Sequence, residues 1–317
     1  KIADRLLNAP LAAQAATHSY SQLTDCLVRL VYQLATEQFH TAAPPTNVER
    51  LTLIAVGGYG RGEMALYSDV DLLFLTPYKM TSWSESVIET TLYILWDMRL
   101  KIGHASRSLS ECLRLGTEDF TIRTAMLERR YLCGDVTLAD ALDHSLWQDL
   151  FQGTEREFIE AKLEEREARH EKQGGQRYLV EPNVKEGKGG LRDLQSLYWI
   201  AKYVFRIAST DELAGLGVFR PDEFKRLQKA ENFLWAVRCH LHLITRRAMD
   251  QLTFDLQVEI AERLGYRDKS GRRAVEHFMQ DYFLHATAVG DLTRIFLTSL
   301  EASHAKAAPL LLRIFAR

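Results

Sequence analysis

Apolar positions along the chain fall into two regimes. Between residues 11 and 40 they recur at helical spacing, Leu23, Leu27, Leu30, Val31 and Leu34 among them, which predicts an amphipathic entry helix ending at the turn-forming Ala43-Pro44-Pro45-Thr46-Asn47. Leu51 to Val56 and Val70 to Leu75 are instead short, nearly unbroken apolar runs rich in strand formers, and they read as strands of one sheet. Helical periodicity returns over Ser82 to Arg99 through Val87, Ile88, Thr91, Leu92, Leu95 and Trp96, with Ser82 or Ser84 as N-cap; Lys101 to Arg107 follows as a third strand. From about Leu109 helical patterns dominate. The charged run Glu155 to Lys172, ending in Gln173-Gly174-Gly175, reads as a solvated helix laced with i,i+4 pairs. The pattern predicts an α+β fold: a small mixed-sheet domain with flanking helices over residues 1–150, then an all-α helical domain over 151–317, with the boundary between 135 and 180.

Composition narrows this little but usefully. A chain of 317 residues with 46% hydrophobic content can bury a sizeable core and is long enough for about two domains. Forty basic against forty-two acidic residues leave a formal net charge of -2, so no strong field favours nucleic acid or membrane. Cys26, Cys112, Cys133 and Cys239 lie far apart with no C-x-x-C pair, the usage expected of a reducing cytoplasm. No apolar run reads as a membrane span or a signal peptide, and the start at Lys1 suggests a fragment. No repeat or low-complexity tract is present.

Chemistry is concentrated in Val56-Gly57-Gly58-Tyr59-Gly60-Arg61-Gly62-Glu63 and the Tyr67-Ser68-Asp69-Val70-Asp71 that follows. On a strand, Asp69 and Asp71 at i and i+2 share a face while Val70 points into the packed side. Two adjacent carboxylates repel unless a cation lies between them, and carboxylate, phosphate and water oxygens form the set that Mg²⁺ prefers; Mn²⁺ is the substitute. Such a pair suits phosphoryl or nucleotidyl transfer. The glycines let backbone N–H groups approach a phosphate, so Gly57 and Gly58 are candidates to cradle it, with Arg61 and Ser68 as added donors. The turn is neither a P-loop, lacking Gly-Lys-Ser/Thr, nor a dinucleotide fingerprint, since a strand follows it. The bland alternative is a tight hairpin bearing two exposed aspartates.

A second block, Glu181-Pro182-Asn183-Val184-Lys185-Glu186-Gly187-Lys188-Gly189-Gly190-Leu191-Arg192-Asp193-Leu194-Gln195, is a basic glycine-rich loop running into a helix. Lys185, Lys188 and Arg192 at that helix start make an anion-attracting edge; the alternative is a structural loop, and Asp193 reads as easily as an internal salt-bridge partner as a metal ligand. His240 and His242, two apart on a helix, face different ways and form no metal site.

The first block resembles the nucleotidyltransferase signature of the DNA polymerase β superfamily. With the second block, Leu95-Trp96-Asp97, Gly103-His104, Leu241-His242-Leu243 and Glu276-His277-Phe278-Met279, the chain more narrowly resembles the bifunctional uridylyltransferase/uridylyl-removing family that modifies the PII nitrogen-signalling protein. That resemblance implies a cytoplasmic nucleotidyltransferase domain that moves UMP from UTP to a tyrosine of PII and releases pyrophosphate. It implies Asp69 and Asp71 as catalytic metal ligands, and Gly57, Gly58, Arg61, Ser68, Lys185, Lys188 and Arg192 around the nucleotide. Partners are UTP and PII, with neither nucleic acid nor membrane. The superfamily's third carboxylate is missing from Lys101 to Arg107; Asp97, Asp119 or Glu128 supplies it, or two aspartates suffice, while His104 either faces the site or packs. The rival readings are an adenylyltransferase acting on glutamine synthetase and a non-catalytic nucleotide-binding regulatory module. The family's uridylyl-removing domain carries a His-Asp pair, and no His-Asp dipeptide occurs in these residues.

Overall fold

A computed structural model of the chain describes residues 1–41, 48–175, 178–215 and 217–304, with the last four in backbone only. The turn expected at Ala43 to Asn47 lies outside the described residues. Helices α1 (Ile2–Asn8) and α2 (Ala13–Gln33) lead, in chain order, to β1 (Thr52–Ala55), the single turn α3 (Gly57–Gly60), β2 (Val70–Thr76), α4 (Ser82–Asp97), β3 (Ile102–Ser108), α5 (Leu109–Glu118), α6 (Phe120–Leu127), β4 (Arg130–Gly134) and α7 (Val136–Ser145). Helices α8 (Glu155–Lys172), α9 (Leu191–Phe205), α10 (Pro221–Thr245), α11 (Phe254–Arg263) and α12 (Ala274–His304) follow. The fold is the α+β arrangement read from the pattern. Two compact units divide it: Lys1–Leu6, Gln14–Phe158 and Thr245–Ala248 in the first, Leu7–Ala13, Ile159–Ile244 and Met249 onward in the second. Among the described residues no helix is long and apolar enough to cross a membrane.

The first unit is organised by a mixed four-stranded sheet in the order β3-β2-β1-β4. β1 pairs antiparallel with β2 and β4, whereas β2 and β3 run parallel, as the crossover through α4 requires. Val70, Leu72 and Phe74 of β2 join Val28, Val31 and Tyr32 of α2 and Val87, Leu92 and Leu95 of α4 in one buried cluster. By strand alternation Asp71 and Leu73 face the opposite side of the sheet. β4 departs from the expected fading of strand signals after Leu109: of its five residues only Leu132 is buried, so no apolar run announces it. Its place is set by pairing with β1, through an irregular register between Leu53 and Ile54.

Three local expectations change. On α2, Leu23 and Leu30 are 59% and 54% exposed, and Leu34 just beyond it 38%; the buried residues of the helix include Thr17, Ser21, Thr24, Val28, Val31 and Tyr32. Hydroxyls can be buried there because Thr17 Oγ1 donates to the Gln14 carbonyl (2.8 Å) and Thr24 Oγ1 to that of Tyr20 (2.9 Å). On α4 the N-cap is Thr81, not Ser82 or Ser84; Ser84 stands at the third position and completes a reciprocal capping box. Helix α8 is not simply solvated: Phe158, Ile159 and Leu163 are buried, and so are Lys162 and His170. Charged groups enter this face because their partners are there, as described below.

Candidate active site

The end of β1 and the start of β2 bring the two halves of the first motif together. The Val56 N–H donates to the Asp71 carbonyl (3.1 Å), and α3 turns at once, with Gly60 N–H returning to the Val56 carbonyl (3.0 Å). Gly57 has φ +59°, a left-handed conformation costly for any residue with a Cβ, and a Cβ built there would lie 3.3 Å from Asp71 Oδ2. On the other side Gly103 of β3 stands in register with Asp71, and a Cβ there would collide with Oδ1. The Asp71 carboxylate thus occupies a slot whose walls are two missing side chains. It opens on a cavity of about 240 Å³ lined also by Thr121, Ile122 and Met126 of α6. Asp69 precedes β2, exposed, and Ser68, half-buried, donates its N–H to the Ala65 carbonyl (3.1 Å). Tyr67, just before them, holds a left-handed φ of 66°.

The turn is braced from below. Arg130 of β4 donates to the carbonyls of Gly60 (3.1 Å) and Tyr59 (3.1 Å) and pairs with Asp25 of α2 (2.6 Å). Gly60 packs on backbone, where a Cβ would strike the Glu128 carbonyl. Arg61, expected beside phosphate, directs Nε to Glu63 (3.1 Å) and Nη1 to Glu128. Burial by itself lowers the guanidinium pKa, but Glu128 and Glu63 outweigh it and raise it above its ordinary value.

Two of the three possible third carboxylates have other work. Glu128 is buried against Arg61, Asp119 caps α6 by accepting from the N–H groups of Thr121 (2.6 Å) and Ile122 (3.3 Å), and Asp97 is exposed at the end of α4. Among the described residues no group of three or more metal-type side chains forms. Asp71 lines the cavity while Asp69, just before β2, is exposed; two carboxylates are a donor set that would suit Mg²⁺ with phosphate and water oxygens completing the shell. His104, in register with Leu72, packs edge to face on Trp96 (5.9 Å between centroids) and also lines the cavity beside Asp71.

Lys185, Lys188 and Arg192 lie in the second unit. Their loop is wound on itself: Asn183 Oδ1 accepts from the N–H groups of Lys185 (3.1 Å) and Glu186 (2.7 Å), and Arg192 N–H donates to the Lys185 carbonyl (2.8 Å). Gly189, at φ +81°, lies against α12, where a Cβ would meet the Ala286 carbonyl. Arg192 bonds Gln195 (2.9 Å) and Glu186 (3.2 Å); Lys185 lies 3.6 Å from Glu186. Burial, then Arg192 and Arg238, push the Lys185 ammonium below its ordinary pKa. Asp193 is an internal partner, fully buried and accepting from Arg166 (3.3 Å), Arg169, His170 (2.9 Å) and the Gly189 N–H (2.8 Å). His242 meets Asp250 (2.9 Å) and His240 the Pro10 carbonyl (3.2 Å), so the two histidines share no site.

The reading of the sequence set Gly103 among the family-like stretches without a place in the site and passed over Arg130. An isolated glycine inside a strand run is the one signal for the first, since it marks a close approach; Arg130 carries none, because its partners are distant carbonyls and Asp25.

Comparison with known proteins matches the chain along nearly its whole length. A family model described as GlnD PII-uridylyltransferase matches residues 157–297, and the nucleotidyltransferase model DUF294 matches residues 1–92. A bifunctional uridylyltransferase/uridylyl-removing enzyme of Ruegeria pomeroyi is 63% identical over 316 residues, which is 100% of this chain and 35% of that protein. Enzymes of the same name from Cereibacter sphaeroides and Novosphingobium aromaticivorans are 60% and 51% identical, over 97% and 96% of this chain and 33% and 34% of theirs. The chain therefore spans about a third of the length of these relatives, and across its own length it belongs to the family of bifunctional uridylyltransferase/uridylyl-removing enzymes.

Proposed function

We propose that the chain transfers UMP from UTP to a tyrosine of the PII signal protein in the cytoplasm. The phenol oxygen bonds to the α-phosphorus, the bond from that phosphorus to the α,β-bridging oxygen breaks, pyrophosphate leaves, and the phenolic proton passes to solvent. Asp69 and Asp71 hold Mg²⁺ or Mn²⁺, which when bound neutralises charge building on the phosphates. Gly57 and Gly58, with Ser68, cradle the triphosphate, and Arg61 acts by holding the turn through Glu63 and Glu128. In the second unit Lys185, Lys188 and Arg192 form a basic edge that binds phosphate.

The observation that carries this reading is the slot that seats the Asp71 carboxylate between Gly57 and Gly103. A hairpin with two merely exposed aspartates needs no such space. The names of the relatives support the uridylyl group and the PII acceptor.

The test is transfer of label from α-labelled UTP to PII. Wild type transfers UMP, chelation of divalent cations abolishes transfer, and Asp71→Asn lowers the rate at least about a hundredfold, as loss of several kcal/mol of charge stabilisation requires. Equal rates for wild type and Asp71→Asn would remove the metal assignment. Transfer from ATP but not from UTP would remove the uridylyl assignment.

A further inference from the structure

The buried face of α8 and the Lys185–Arg192 loop carry more positive charge than their own carboxylates match. Arg166, Arg169, Lys185 and Arg192 converge on Asp193 and Glu186. Asp193 is fully buried and saturated, with two arginines, His170 and a backbone N–H upon it. Glu186 is therefore left facing three cations, and it serves them poorly. Arg192 Nη2 is within hydrogen-bond distance at 3.2 Å, but Lys185 Nζ is at 3.6 Å and Arg169 Nε at 3.9 Å.

Arg169 shows the consequence most clearly. Its side chain is only 9% exposed, and although Nη2 bonds Asp193, Nε and Nη1 are buried with no hydrogen-bond partner. A buried donor left unmade costs about 1–3 kcal/mol. Lys185, pushed toward its neutral form by burial and neighbouring arginines, reports the same surplus of cations. Lys185, Glu186 and Arg192 are each about a quarter exposed, so the cluster is open to solvent on the loop side.

We propose that the Glu186 carboxylate is a resident counter-anion in a polyphosphate site built from Arg169, Lys185 and Arg192, and that an incoming di- or triphosphate group displaces it. A phosphate group brings more charge and more acceptor oxygens than one carboxylate, and the arginine fork suits it. This deepens, and rests on, the phosphate contacts proposed for Lys185 and Arg192. It adds Arg169, which lies on a helix the sequence pattern marks as solvated, and gives Glu186 a gating part.

The experiment is calorimetric titration of the whole chain with inorganic pyrophosphate in the presence of a chelator, so that Asp69 and Asp71 have no metal with which to attract it. Glu186→Gln keeps the shape and removes the competing charge; its affinity should rise about tenfold over wild type, the worth of roughly 1.4 kcal/mol. Lys185→Met and Arg192→Met, on part-exposed positions, should each weaken binding about tenfold or more. Arg169→Lys keeps a cation for Asp193 and should also weaken binding. If Glu186→Gln binds no tighter while Lys185→Met and Arg192→Met bind more weakly, Glu186 is a structural hub and the counter-anion idea falls, although the basic loop keeps its phosphate contacts. If no variant binds pyrophosphate, or the basic-residue variants bind as wild type does, both fall. In either case UMP transfer by wild type against Asp71→Asn still decides the metal reading separately.

Discussion

Asp71 owes its place to what its neighbours lack. Gly57 gives it room on the turn side and Gly103 on the β3 side, where any side chain would contest the space of Oδ1. Gly103→Ala is accordingly expected to push the carboxylate out of its slot. UMP transfer should fall by at least about tenfold, with stability reduced by about 1–3 kcal/mol, the usual cost of one added methyl in a packed place. Activity assay and urea unfolding on the same preparation check it: full activity in Gly103→Ala would show that the slot does not position Asp71. Asp71 and Gly57 are visible in the sequence because spacing and glycine content speak for themselves. Gly103 is visible only as an odd glycine in a strand, since the residue it makes room for is on another strand.

At the scale of elements, α8 shows how a charge pattern misleads. Arg166, Arg169 and His170 share a face at i, i+3 and i+4, and that face turns inward because α9 begins with a carboxylate, Asp193, to receive it. Burial alone raises the Asp193 pKa, but the His170 hydrogen bond and the charges of Arg166 and Arg169 outweigh it and bring it down to about 2, below the ordinary 3.8. A depressed folded-state pKa contributes stability that is fully present above about pH 4 and is lost as pH falls toward 2. The loss is about 2 kcal/mol, and it should be absent from the pH profile of Asp193→Asn. Denaturant unfolding of both proteins from pH 5 to about pH 2 measures it; parallel profiles would show that Asp193 is not held ionised by this cluster.

At the scale of the molecule, the chain spans about a third of its relatives' length, and no His-Asp dipeptide occurs in its 317 residues. The pattern of apolar positions determined the α+β class, three of the four strands and helices α2, α4 and α8, because burial periodicity and local backbone chemistry are written in neighbouring residues. Tertiary structure alone decided β4, the buried residues of α2, the capture of Arg61 by Glu128 and the polar face of α8. Each depends on a partner far along the chain. No local period encodes which distant carbonyl or carboxylate will meet a given side chain, and it is that meeting which makes burial of a polar group affordable.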